Sequence, residues 1–247
     1  MRIPTFEPLV IAALLLGLGG AAGGWLAGNG FARSRSSDRF VTVKGISERE
    51  ARADLAFWPL RIVVADNDLP QAHARLRTQI TQVRGFLARH QVDTTKIDLQ
   101  GFSVADAYAN EYREAGTAAN RYVIRQVVMV RSDDPEKILR ASQEVGELVN
   151  AGVVLSSGGE YGSGGPTFVF SGLNSLKPAM IAEATARARE SAEQFAHDSR
   201  TTLGGIRRAS QGVFEILPRD QVPGVDQAGQ IVKTVRVVST VEFFLRD

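Results

Sequence analysis

The 247-residue chain contains no cysteine. That excludes disulfides, thiolate metal sites, a cysteine nucleophile and an acylated lipoprotein cysteine, and it leaves an oxidising compartment permitted. Histidine is almost as scarce. His73, His90 and His197 stand far apart with no H-x-x-x-H or H-E-x-x-H spacing, so each reads as a surface or helix-end residue. Charge of one sign is lacking too, with 29 Lys+Arg against 27 Asp+Glu. The small surplus lies before Phe40, and the body from Phe40 to Asp247 sums to zero, where a nucleic-acid-binding domain would carry a basic excess. The sequence has no G-x-S-x-G elbow, no G-x-x-x-x-G-K-[ST] loop and no G-x-G-x-x-G frame. Asp66-Asn67-Asp68 starts like a calcium loop, but Gln71 and Arg77 occupy the positions that need glycine and glutamate. These absences assign no catalytic residue, no metal and no cofactor.

What is present is an ordinary globular composition, 44% hydrophobic and 23% charged, with enough chain to bury about 70% of its unfolded surface. From Leu9 to Ala27 the run LVIAALLLGLGGAAGGWLA carries no charge, about the length a helix needs to cross a hydrocarbon core of roughly 30 Å. Residues 1–32 therefore read as a membrane anchor or a signal segment. Length favours the anchor. Five glycines within it, and the small residues at Gly30-Phe31-Ala32, favour a cleaved signal peptide. Arg33, Arg35 and Arg39 follow the run and only Arg2 precedes it, and that count by itself would keep the body cytoplasmic. Residues 33–39 read as a linker and 40–247 as the folded body.

Along the body, FVTVKG reads as a strand and a turn, and Asp54 to Ala65 as a longer strand with an edge position or a bulge at Pro59. Asp68 to His90 has helical spacing with Asp68 as cap. Lys96 to Ala107 and Tyr122 to Arg131 predict a hairpin, and Asp133-Asp134-Pro135 starts a helix that ends at Gly152. Short strands at Val153–Leu155 and Thr167–Phe170 precede an alanine-rich helix from about Asn174 to Ser199. Its predicted stripe is Ile181, Ala184, Ala188, Ala192, Phe195 and Ala196. Gly204 and Gly205 stop that helix, and Ile206–Ile216 and Ile231–Leu245 are the last strands. The order predicts an α+β body, a mostly antiparallel sheet with three helices packed against it. The glycine-rich SSGGEYGSGG segment, with Gly158, Gly159, Tyr161 and Gly164, is the candidate interaction loop.

Four stretches stand out together: VTVKGISE followed by Ala53-Asp54-Leu55-Ala56, the strand ending at Tyr108, RYVIRQVVMV leading to DDPEKI, and EATARARESAEQFA closing on TLGGI. In these the chain resembles one family, the SIMPL domain proteins, among them the periplasmic immunogenic protein of some pathogens, and the resemblance covers nearly all of Phe40 to Asp247. The family's proline before the aspartate is Ala53 here, and polar residues at Ser199–Thr202 replace a usual glycine. The resemblance implies an exported α+β protein, membrane-attached at the periplasmic face of the inner membrane, or soluble in the periplasm if the leader is removed. It implies homo-oligomers, including rings, an association with envelope or oxidative stress, and no catalytic residues. The expectation is a non-enzymatic cell-envelope protein acting through self-assembly or partner binding. The alternative is a ligand-binding or hydrolytic domain with a site built from the Ser156–Gly165 and Tyr108–Tyr122 loops.

Overall fold

The computed structural model describes residues 7–36, 39–109, 120–156, 164–220, 222–223 and 226–246. The architecture is α+β with antiparallel sheets, and it corrects the single-sheet expectation to two four-stranded sheets. The elements run α1 (Glu7–Ser36), β1 (Phe40–Arg52), β2 (Leu55–Asp66), α2 (Leu69–Arg89), β3 (Ile97–Asp106), β4 (Tyr122–Ser132), α3 (Pro135–Gln143), α4 (Gly146–Asn150), β5 (Thr167–Val169), α5 (Leu173–Asp198), β6 (Thr202–Gln211), β7 (Glu215–Pro218) and β8 (Val232–Arg246). The segment expected to be one helix from Asp133 to Gly152 is two, α3 and α4.

The chain divides into two compact units, residues 1–47, 179–213 and 237–247, and residues 48–178 and 214–236. In the second unit one sheet runs β3-β4-β2-β5. β2 alternates strictly, with Ala56, Trp58, Leu60, Ile62 and Val64 buried, because successive side chains of a strand point to opposite faces. α2 packs on β2 and β4 through Ala72, Leu76, Val83, Phe86 and Leu87. Trp58 meets Phe86 edge-on with ring centroids 6.4 Å apart, a favourable aromatic geometry.

Pro59 sits in a central strand with no bulge, its register opposite Met129 unbroken. The missing N–H costs nothing there. Val63 N–H donates away from β4 to the carbonyl of Val154 at 3.1 Å, and alternate residues of a strand point the same way. Pro59 nitrogen therefore faces the side where β5 pairs only Leu55–Phe57 and the next contact is the bridge of Ile62 with Leu155.

The helix ends follow local rules. Asp68 Oδ1 accepts from Gln71 N–H at 2.8 Å, and Asp134 Oδ1 accepts from Lys137 N–H at 3.2 Å with Pro135 in the first turn. Three helices close with the same 6→1 and 5→2 hydrogen bonds. These are Val92 N–H to Leu87 O with Gln91 N–H to Ala88 O, Val153 N–H to Leu148 O with Gly152 N–H to Val149 O, and Thr201 N–H to Ala196 O with Arg200 N–H to His197 O. Their left-handed residues are Gln91, Gly152 and Arg200, at φ 59°, 84° and 54°.

In the first unit, α5 lays Ala188 and Ala192 into a cluster with Val41, Val241 and Phe243, and buries Met180, Ala184 and Ala196 along the same stripe. The four alanines of the expected stripe are buried, whereas Ile181 is half-buried, Phe195 is 49% exposed and Met180 joins the buried face. Gly45 makes no turn. It lies within β1, where a β carbon would fall 1.8 Å from the Ala184 carbonyl oxygen. β6 begins at Thr202 and includes Gly204 and Gly205 within the strand.

α1 continues through Ser36, into the small polar stretch that reads as a linker. Its side-chain surroundings are described at Ala13 and Leu15–Gly28. There Leu15, Leu16, Leu18, Trp25 and Leu26 are 62–78% exposed. Among the described residues no helix is long and apolar enough to cross a membrane.

Candidate functional site

The most conspicuous surface of the second unit lies on β3. It is an edge strand, and α2 packs chiefly on β2 and β4 behind it. A bulge between Gln100 and Ser103, with Gly101 at φ 60°, shifts the β3 register by one residue. Buried Gln126 fills the gap by donating from Nε2 to the Gln100 carbonyl at 2.7 Å. Leu99 stands opposite Val128 and Val104 opposite Ile124, and both β4 partners are fully buried. Opposed residues share a sheet face, so the inner, apolar face of the sheet overhangs α2 by one strand. Phe102 lies in the bulge between them. Leu99, Phe102 and Val104 are 47%, 54% and 43% exposed, the kind of grouped apolar exposure that marks an interaction surface.

The same strand ends in an aromatic and cationic tip. Arg121 grips Asp106 with Nε at 3.2 Å and Nη2 at 3.0 Å from Oδ2. Its guanidinium lies 4.9 Å from the Tyr122 ring centre and 5.7 Å from that of Tyr108. The Arg121 hydrogen bond holds the Asp106 carboxyl below the usual carboxylate range. Asn67 Oδ1 accepts from Arg121 N–H at 2.9 Å, so the neck of the Tyr108–Tyr122 loop is fixed on both sides. Residues 110–119 of that loop lie outside the described residues. The expected interaction loop has Gly158, Gly159 and Tyr161 outside the described residues as well, while Gly164 is a half-buried bend before β5. The described ends of the two loops leave the sheet at different places. One leaves beside Asp66, and the other leaves along the β2 edge where Ser156 N–H donates to Arg61 O at 2.9 Å.

A groove of about 490 Å³ in the second unit is lined by Arg89, His90, Gln91, Arg140, Gln143 and Glu144. Glu147 pairs with two of these residues. Its Oε2 is 3.0 Å from Arg89 Nη2 and its Oε1 3.7 Å from His90 Nε2, and the Arg89 hydrogen bond leads in holding the carboxyl below its usual range. His90 packs on Phe86 with ring centroids 4.5 Å apart. The cations need no ligand to explain them. α2 and α3 both end here, and positive side chains complement the carbonyl ends of helices. His73 is exposed on α2, and His197 lies in the last turn of α5. No group of three or more His, Asp or Glu among the described residues is placed to hold a metal ion.

The residue that sequence reasoning missed is Lys233 on β8. It is fully buried, and its Nζ donates to the Gln227 carbonyl at 2.6 Å, tying down the turn between β7 and β8. Burial pushes the ammonium down from the ordinary lysine range, with the Asp226 charge acting the other way. The alternation held the signal, since Lys233 shares the parity of buried Val235, Val237 and Val241.

The segments that carry the family likeness have identifiable physical work. Ala53 N–H donates to Ile231 O at 2.8 Å, and Asp54 N–H to Val169 O at 3.0 Å. The Asp54 carboxylate accepts from the backbone N–H and the hydroxyl of Ser171, each at 2.8 Å. Burial raises the Asp54 pKa, but these hydrogen bonds outweigh it and leave the carboxyl below its usual range. The four-residue motif is thus a junction that gathers β2, β5 and the chain ahead of β8. A search of curated proteins finds no match to the sequence. The family model described as SIMPL, protein of unknown function (DUF541), matches residues 41–243, which spans both units from the first core residue of β1 to the last of β8, and the chain belongs to that family.

Proposed function

We propose that this chain is a non-enzymatic cell-envelope protein, held at the periplasmic face of the inner membrane by its N-terminal segment and acting through self-association of its body. The observation that carries the reading is the uncovered inner face at Leu99, Phe102 and Val104, beside the Tyr108–Arg121–Tyr122 tip. Aromatic and arginine side chains around a small apolar centre are the composition of binding hot spots. The anchoring part of the reading is supported by the uncharged run from Leu9 to Ala27 and by the unpartnered leucines and tryptophan of α1. A β carbon at Gly17, Gly19, Gly20, Gly23, Gly24 or Gly28 would meet nothing within 4 Å. The Leu9–Ala12 part of the run, which brings it to spanning length, precedes the side chains described. If the leader is cleaved, the same body works as a soluble periplasmic assembly. A role in envelope or oxidative stress belongs to this proposal as its physiological setting.

Single-span anchoring places bodies in one plane, where a weak contact gains from effective concentration. The test is light scattering coupled to size exclusion on the detergent-extracted full-length protein, wild type against Phe102→Glu. Discrete multimers that shift toward monomer in the variant support the reading. A monomeric wild type overturns the self-association part.

A further inference from the structure

Three chain segments far apart in sequence meet at one end of the first unit. Leu245 N–H donates to the Arg39 carbonyl at 2.9 Å. Thr202 pairs with Arg246, and its hydroxyl donates to the Arg246 carbonyl at 3.2 Å. Arg200 stands two residues before β6. Neighbouring strands are about 4.8 Å apart, so Arg39, Arg200 and Arg246 gather at one sheet end, and all three residues are exposed. Among the described residues no carboxylate lies within ion-pair distance of Arg200 or Arg246. Arg200 also holds a left-handed backbone, φ 54°, at the position closing α5. Glycine takes that conformation without strain, and an arginine there stands against local preference.

This end is also where the chain arrives from α1. Ser36 is the last residue of α1 and Phe40 the first of β1, so at most about 14 Å of backbone separates them.

We propose that the Arg39–Arg200–Arg246 end of the first unit docks on anionic phospholipid headgroups. The inference rests on the membrane-anchoring reading above and adds a lipid partner for a particular surface. The short connection confines the arginines near the bilayer, so docking proceeds as an intramolecular step that weak attraction suffices to drive. Each arginine near an anionic surface strengthens that attraction about fivefold, and the effect fades beyond a screening length of about 10 Å. Nucleic acid is a poor alternative, because the body as a whole has no basic surplus.

The experiment reconstitutes the full-length protein into vesicles of phosphatidylcholine alone, and into vesicles containing about one-third phosphatidylglycerol, and reads amide hydrogen exchange at residues 199–206 and 240–246. Exchange several-fold slower in the anionic vesicles, restored by high salt and absent from the Arg200→Gln, Arg246→Gln double variant, is the expected result. Equal exchange in the two vesicle types overturns the proposal, as does protection that survives in the double variant. Flotation of the same samples separates the two readings. Protein that floats with both vesicle types without composition-dependent protection sinks the headgroup docking alone, whereas protein that floats with neither sinks the anchoring and the docking together.

Discussion

Gly45 and Ala184 are in backbone contact. A β carbon on Gly45 would fall 1.8 Å from the Ala184 carbonyl oxygen and 2.5 Å from the Ala188 nitrogen. The alanine spacing of α5 lets the helix approach β1 this closely, and the glycine completes the approach from the strand side. Gly45→Ala cannot be absorbed by a flexible side chain, since both obstacles are backbone. The variant should lose about 3 kcal/mol or more, read by chemical denaturation of the full-length protein. Ala substitution at Gly205, where nothing lies within 4 Å, is the control and should cost far less.

Two of the three helix closures make opposite predictions at chemically different residues. Gln91 is exposed and holds φ 59° where glycine is at ease. Gln91→Gly should stabilise by about 0.5–1 kcal/mol, the left-handed strain relieved less the added chain entropy. Gly152→Ala, at φ 84°, should destabilise by about 1 kcal/mol. Thermal melts of the two variants against wild type check the pair.

Asp54 gives the family motif a pH signature. Its folded pKa is depressed by the Ser171 hydrogen bonds against an opposing burial effect. Its contribution is therefore fully present above the unfolded aspartate pKa of about 3.9 and lost as pH falls through the lower folded value. Asp54→Ala should cost about 1 kcal/mol at pH 7, and the gap from wild type should narrow below pH 4. A gap that persists unchanged in acid contradicts the assignment.

Lys233 also gains stability with rising pH, but at the alkaline end and for the opposite reason, since burial penalises its charged form. Its folded pKa is lowered by burial, so the folded protein sheds this proton before the unfolded chain does. Stability attributable to it rises with pH across the window that ends at the unfolded lysine value of about 10.4. Denaturation midpoints measured from pH 7 to 10 should climb in wild type relative to Lys233→Met, which has no proton to lose. Parallel curves would contradict the buried ammonium.

Much of this fold was legible wherever one residue's local chemistry decides. Asp68 and Asp134 cap their helices, Pro135 opens α3, and the hairpin expected from Lys96–Ala107 and Tyr122–Arg131 is the β3–β4 pair. What stayed hidden depended on partners distant in sequence. Gly45 reads locally as a turn until α5 is laid on it. Pro59 reads as an edge or a bulge until β5 proves too short to face it. The α5 stripe was misjudged by one large residue. Phe195 looked like core, but the close approach admits only the alanines at fourfold spacing with Met180 at the wide end. The β3 surface was illegible because its alternation looks like that of any half-buried strand, and only the sheet order leaves it uncovered. The loops carrying Gly158, Gly159 and Tyr161 were conspicuous in composition, whereas Lys233 was conspicuous only in its parity.

The most direct test of the account is the mass of the full-length protein in detergent, by light scattering coupled to size exclusion, for wild type and for Leu99→Lys and Phe102→Glu. Self-association through the uncovered β3 face predicts a discrete multimer in wild type and a shift toward monomer in both variants, with far-ultraviolet circular dichroism unchanged. A wild-type monomer, or a multimer indifferent to both charges, would contradict it.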